Sequence, residues 1–513
     1  MSTSIQIGTG PLSRADVVAV ARGGATVELD DVAIAAVEST RGVIEKLAAS
    51  ATPAYGVSTG FGALATRHIE PAKRTALQKS LIRSHAAGSG PPVETEVVRA
   101  LMLLRLSTLA TGHTGVRLQT VRAFTRLLNA GLTPVVREYG SLGCSGDLAP
   151  LAHCALALMG EGEVTDATGA VRPAAEAMRE HGIEPIVLAE KEGLALINGT
   201  DGMLGMLTLA LADLDVALRT ADIAAAMSIE GLLGTDRILA ADLQALRPHP
   251  GQAVVAANMR AVLAGSPIVA SHRGPDDPRV QDAYSLRCAP QVHGAARDTA
   301  EHAAVVAERE LASAIDNPVV LDGGRVESNG NFHGAPVAYV LDFLAIPVAD
   351  VASMSERRTD RFLDPARSHG LPPFLADDPG VDSGHMIAQY TQAAMVSELK
   401  RLAVPASVDS IPSSAMQEDH VSMGWSAARK LRKAVDLLAQ VTAIEVVTAA
   451  RGIDLRAPLE PSAATGAVIA ALRERVAGPG PDRFLAPDIE ATTELVRSGA
   501  IVAAAQSATG VLS

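Results

Sequence analysis

Residues 139–147 read Tyr-Gly-Ser-Leu-Gly-Cys-Ser-Gly-Asp, a run of small residues around one serine. Three chemistries compete for Ser145. A hydrolase nucleophile in a G-x-S-x-G elbow needs glycine at 147, where this chain has Asp147. A plain helix cap, with Ser145 or Asp147 starting a helix near Pro150, is what the local pattern alone favours. The third chemistry uses the backbone. Gly146 has no side chain, so its amide nitrogen can approach the Cys144 carbonyl. Ring closure and loss of two waters, one from Ser145, would leave a methylidene on an imidazolone ring, an electrophile made without an imported cofactor.

Other motifs fail on context. Gly60-Phe61-Gly62-Ala63-Leu64-Ala65 matches G-x-G-x-x-A by letter, but the only acid between Gly62 and Pro92 is Glu70, and no ribose-binding acid stands about twenty residues on. No G-K-S/T follows either, so a glycine turn is the better reading. The 13 histidines form no H-E-x-x-H and show no ligand spacing with acids, so no metal is expected.

The elements that must position these residues are helical. Of 513 residues, 48% are hydrophobic, 20% charged and only 3% aromatic, so the apolar mass is Ala, Leu and Val, a composition suited to close-packed helices. A net charge of −13 offers no cationic face for nucleic acid. The cysteines, Cys144, Cys154 and Cys288, have neither disulfide-framework nor C-x-x-C spacing. No secretory leader pattern opens the sequence, and Asp342 and Asp350 interrupt the apolar stretch 334–354, so a cytoplasmic protein without a membrane span is expected. The pattern predicts a short strand at 25–29 and a helix at 31–50. Two helices are expected within 94–130, with Gly112 and Gly115 between them and Gly131 as cap. Further helices are expected at 202–235, 296–314, 336–360, 384–402 and 419–450, and a proline-marked break at 248–292 (Pro248, Pro250, Pro267, Pro275, Pro278). The fold reading is mainly α: a smaller mixed N-terminal domain over 1–200 carrying the serine loop, and a long-helix bundle over 201–513. Helices with apolar outer faces imply burial against other subunits.

The run from Gly140 to His153 closely resembles the signature of the aromatic amino acid ammonia-lyases, whose prosthetic group is a methylidene-imidazolone. The resemblance extends, in the family's order, through Tyr55-Gly56-Val57-Ser58-Thr59-Gly60-Phe61-Gly62, Asn198-Gly199-Thr200, 281–288 (Gln-Asp-Ala-Tyr-Ser-Leu-Arg-Cys), Asp316-Asn317-Pro318, Asn331-Phe332-His333 and Gln417-Glu418-Asp419-His420. Within the family, Ser84-His85, Met386 and Glu418 are similar to the histidine-directed members; phenylalanine and tyrosine enzymes differ there. Cys144 stands where most relatives have Ala, and Asp201 and Met416 replace a Gln and an Asn.

The resemblance implies an ammonia-lyase fold, a homotetramer with shared active sites, and non-oxidative deamination of L-histidine to urocanate and ammonia, the first step of histidine degradation. The group would form from Cys144, Ser145 and Gly146, with no external cofactor. Tyr55, its pKa depressed by nearby donors, would remove the β-proton with Tyr284 assisting. Arg287 would clamp the carboxylate through its planar fork. Asn198 would stabilise charge on the ring carbonyl. His85 and Glu418 would flank the imidazole, or Glu418 would take the ammonium proton. Gln281, Phe332 and Met386 would line the pocket. The plainer readings are a packed tyrosine, a surface Arg287, a turn asparagine before Gly199 and core packing for Phe332. Rivals are a tyrosine or phenylalanine ammonia-lyase or aminomutase of the same family, and a catalytically silent helical scaffold.

Overall fold

The computed structural model describes residues 4–50, 53–274 and 280–513. The chain is mainly α and divides into two units, each built from three separated segments. The first comprises Met1–Leu209, Ala304–Leu341 and Pro405–Arg429; the second comprises Ala210–Ala303, Asp342–Val404 and Lys430–Ser513.

In the first unit the strand Ser4–Ile7 pairs in parallel with Thr26–Leu29, and short antiparallel ladders join 133–134, 163–165 and 171–173. Its axis is the helix Thr95–Ala110, in which every residue from Val97 onward except Arg99 is buried, as a helix apolar on all faces requires. Capping fixes the helices before it. Ser13 and Asp16 form a reciprocal capping box on Arg14–Ala21, and Asp30 accepts from Ala33 N at 2.7 Å to start Asp31–Ala49. The helices expected within 94–130 are Thr95–Ala110 and Leu118–Asn129.

The second unit packs alanine-rich helices around a core running from Ile223 and Ala226 through Met259, Phe362, Val446 and Val468 to Ile501. Two buried ionic clusters cross-link it. Arg358 donates a two-bonded fork to Glu445, at 2.5 and 2.8 Å, while Glu445 also accepts from Ser228. Asp222 accepts from His293, Arg297 and Asn258. Asp342, which in sequence interrupts an apolar run, is buried and paired with Lys430 Nζ at 2.6 Å. It lies in Ala335–Leu363, the one described helix long and apolar enough to cross a membrane, and 61% of its most apolar stretch is buried inside the protein.

The expected break at 248–292 is corrected. Pro250 and Pro267 sit in the first turns of helices Pro250–Leu263 and Pro267–Ala270, where a missing N–H costs nothing. The Tyr284–Arg287 turn and the start of Ala289–Leu311 fall there too; Pro275 and Pro278 lie outside the described residues. The remaining long helices are Asp201–Gly231, Met386–Leu402 and Gly424–Asp454. Helices Ala463–Arg473, Ala486–Arg497 and Ala500–Thr509 lie beyond those expected from the pattern.

Candidate active site

The serine loop is held in a shape that few residues accept. Ser145 has φ +47° and Gly146 φ +74°, the left-handed region that costs any side-chain-bearing residue energy. A Cβ on Gly146 would lie 1.9 Å from the Gly199 carbonyl oxygen, and one on Gly143 would lie 2.1 Å from Ser422 Oγ, so both positions admit only glycine. Asp147 N donates to Gly199 O at 2.6 Å. Asp147 is the N-cap residue of the helix that begins at Leu148, close to Pro150 as expected, but its side chain makes no capping bond to that helix. Its carboxylate accepts from Gly202 N and Met203 N, at 2.8 and 2.9 Å, and from Ser141 Oγ at 2.9 Å. It therefore satisfies orphan donors at the start of Asp201–Gly231, while burial pushes its own pKa up to about 7 against those bonds.

A cavity of about 640 Å³ opens beside this loop, lined by Tyr55, Ser84, His85, Ser145, Asn198 and Glu418 with Phe61, Leu148, Leu194, Asn317 and Ser414 among others. Its volume suits a small ligand. Tyr55 sits in a turn tightened by Ser58 Oγ, which accepts from Ala54 N at 2.9 Å. The phenol oxygen accepts from Gly62 N at 3.3 Å, and its ring meets Phe61 edge-on. The expected depression of Tyr55 is not met. Burial raises its pKa, the Glu418 and Asp316 charges add to the rise, and the Gly62 bond is too weak to reverse it.

His85 ends the helix Arg74–His85. Its Nδ1 donates to Leu81 O at 2.9 Å, which leaves Nε2 as an acceptor. Burial lowers its pKa against the opposing pull of that carbonyl and of Glu418, so the ring is neutral near pH 7. Asn198 is fixed through its carbonyl, which accepts from the fully buried Arg105 at 2.8 Å. Among the described residues its Oδ1 is buried without a partner and Nδ2 makes only a 3.4 Å contact with Asn317 O. Asn317 and Ser414 are wall residues that sequence reasoning does not single out; the signal for Asn317 is its place inside the Asp316-Asn317-Pro318 motif. Glu418 closes a tight hairpin with Ser413 across the left-handed triplet Ser414, Ala415 and Met416. Asparagine tolerates that conformation and methionine pays for it. The Met416 side chain is exposed. The Glu418 carboxylate accepts from Ser413 Oγ at 3.0 Å, Cys144 Sγ at 3.3 Å and Ser145 Oγ at 3.4 Å. Burial, with the Glu418 charge, pushes the Cys144 thiol up to about 12, so it stays protonated.

The first unit thus brings together Tyr55, His85, Ser145, Asn198 and Glu418, with Cys144 and Gly146 in the loop. Phe332, also in the first unit, and Gln281, Tyr284, Arg287 and Met386, in the second, are not on this wall. Gln281 accepts from Arg287 Nη1, and the Arg287 guanidinium lies over the Tyr284 ring, 4.7 Å from its centroid. Tyr284 is 70% exposed. The turn that carries it is anchored, because Arg358 Nη1 donates to Ser285 O at 3.1 Å. Met386 begins Met386–Leu402.

The family model described as aromatic amino acid lyase matches residues 12–474. The chain belongs to this family. The lyase is 66% identical over 510 residues to a histidine ammonia-lyase of Streptomyces avermitilis, covering 99% of both chains, and 50% identical over 511 residues to one of Sorangium cellulosum, covering 98% of this chain and 99% of that one. Among solved structures it resembles the histidine ammonia-lyase of Trypanosoma cruzi, with TM-score 0.91, 40% identity and coverage of 99% and 96%. A tyrosine aminomutase of Streptomyces globisporus superposes with TM-score 0.94 at 38% identity over 100% of both chains. The fold is therefore common to different reactions, and substrate must be argued from the wall of the cavity.

Proposed function

We propose that this lyase removes ammonia from L-histidine to give urocanate. The observation that carries the reading is His85, neutral and with Nε2 open as an acceptor, on the same wall as Ser145 and Glu418. A substrate imidazole N–H donating to Nε2 satisfies one buried polar group on each side, which phenylalanine cannot do. The 66% identical relatives named for histidine support the same choice.

The loop fits a methylidene-imidazolone made from Cys144, Ser145 and Gly146: its glycines admit no side chain, Ser145 is already left-handed, and Asn198 presents an underused amide beside it. When formed, that group supplies the electrophile that makes the amine a better leaving group. The chain's own residues do the rest. Tyr55 takes the β-proton, and Asn198 Nδ2 would hold the ring carbonyl of the group. Of the two roles left open for Glu418, its place 3.4 Å from Ser145 Oγ supports deprotonation of the incoming ammonium, so that a free amine reaches the loop.

Tyr284, Gln281 and Arg287, exposed or half-buried in their own chain, would complete the site of a neighbouring copy, with Phe332 and Met386 as further lining. Tyr339, Phe343 and Ile346, on successive turns of one helix, are each about half exposed or more, an apolar stripe that assembly would cover. The protein is expected to work in the cytoplasm as a homotetramer with shared sites. Active protein should sediment as a tetramer at assay concentration; a stable, active monomer contradicts this.

His85→Phe tests the substrate. Losing the imidazole partner is expected to cost about 1–3 kcal/mol for histidine, which lowers kcat/KM for L-histidine roughly 5- to 150-fold and improves L-phenylalanine relative to it. An unchanged ratio of the two specificity constants would remove His85 from substrate recognition.

A further inference from the structure

We propose that Arg105 is the positioning residue for Asn198, with Asp201 orienting Arg105; this rests on the function proposed above, in which Asn198 acts. The Asn198 side chain has little to hold it, since among the described residues its only bond is the 3.4 Å contact with Asn317 O. Where Nδ2 lies is therefore decided by the backbone. The Asn198 N–H donates to Leu194 O at 3.1 Å, and its carbonyl accepts from Arg105 Nη1 at 2.8 Å. Nη1 also donates to Ala195 O at 3.0 Å, and Nη2 to Ile315 O at 3.1 Å. One planar fork thus ties the Asn198 turn to the segment that carries Asn317, the wall against which the amide leans.

Arg105 is fully buried in the helix Thr95–Ala110, and Asp201 Oδ2 lies 3.0 Å from its Nη2. The pair is closed from solvent, so its charges are matched, and the rigid fork has one orientation that meets all these acceptors. The guanidinium presses on the chain beside Asn198: a Cβ on Gly199 would lie 2.2 Å from Nη2 and 2.4 Å from Asp201 Oδ2. On its other side Gly199 O accepts from Asp147 N of the serine loop at 2.6 Å. Asn198-Gly199 is therefore pinched between fork and loop, and the fork sets how far the amide stands from Ser145. Lysine keeps the charge but, as a compact ammonium, cannot reach Asp201 and the carbonyls on both sides together.

The test is a double-mutant cycle between Arg105→Lys and Asn198→Ala. Arg105→Lys should keep the two-water deficit of the peptide 139–150, about 36 Da. Its kcat for L-histidine should fall roughly 10- to 100-fold, the scale of a misplaced group. KM should stay within about twofold, because a bond made only as charge develops is lost from kcat alone. In the Asn198→Ala background the same substitution should change kcat by less than about twofold, since Arg105 acts through Asn198. Costs that multiply, as a purely structural role gives, or a lost deficit overturn the inference. Cyanide supplies a readout apart from turnover, because it adds to the loop electrophile without needing Tyr55 or His85. Its addition to the loop of folded protein, read as the mass of the same peptide, should slow about tenfold in Arg105→Lys, and the double variant should be no slower than Asn198→Ala. An unchanged rate overturns the inference. If Arg105→Lys fails to fold by circular dichroism, Asp201→Asn takes its place in the cycle, with the same outcomes. Wild type that forms no urocanate from L-histidine defeats the function reading instead, and the cyanide cycle still judges Arg105, so the two failures are distinct.

Discussion

Replacing Ser145 with alanine is expected to lower turnover of L-histidine on the order of 10³-fold or more, the scale on which loss of a covalent catalytic group acts. The fold should survive. Alanine meets the same left-handed penalty at φ +47° as serine does, and the hydroxyl it lacks is engaged with Glu418 at 3.4 Å. The variant should run at its full sequence mass, without the two-water deficit. Wild-type turnover in Ser145→Ala, measured as urocanate absorbance, would end the ammonia-lyase reading.

Tyr55→Phe should cost roughly 10²- to 10⁴-fold, the usual contribution of a positioned base, with little effect on stability because the ring and its edge-on contact with Phe61 remain. The direction of its pKa shift fixes the pH behaviour. A phenol raised above its ordinary value is protonated at pH 7, and its base form increases about tenfold for each unit of pH below that pKa. Burial and the negative charges of Glu418 and Asp316 both act in this sense. Wild-type kcat/KM should therefore climb into the alkaline range, and Tyr55→Phe should lose that ascent along with its rate. An equally steep climb in the variant would assign the proton transfer elsewhere.

The serine loop and the long helices are legible in sequence because each is written in adjacent residues or in a 3.6-residue period. The features that escape such a reading depend on partners distant along the chain. Asp147 reads locally as the cap of the helix after it, yet its carboxylate serves the helix at Asp201, 55 and 56 positions on. A lowered pKa for Tyr55 presumes donors close by; burial and two carboxylates, gathered by the fold, reverse the sign. Pro250 and Pro267 read as breakers because proline can end a helix or begin one, and only the residues after it decide between the two; here each begins one. Tyr284 and Arg287 share one turn, with Gln281 just before it, and their motif is plain in sequence, whereas nothing nearby says which cavity they would complete.

The loop at 143–147 is shaped by contacts of very high contact order. Gly143 O accepts from Ser422, 279 positions later, and Ser145 donates to Glu418, 273 positions later. A ribosome adding about 5–20 residues per second needs roughly 14–56 s to cover that interval, and through it the nascent N-terminal segment would carry an ordinary serine. Loop-closure entropy delays the contact further, since it cannot be repaid before the distal hairpin exists. Premature termination before residue 418 would therefore yield a polypeptide with no electrophile to alkylate cellular amines and thiols, and the reactive carbon would arise only inside a cavity already walled by Tyr55, His85 and Asn198.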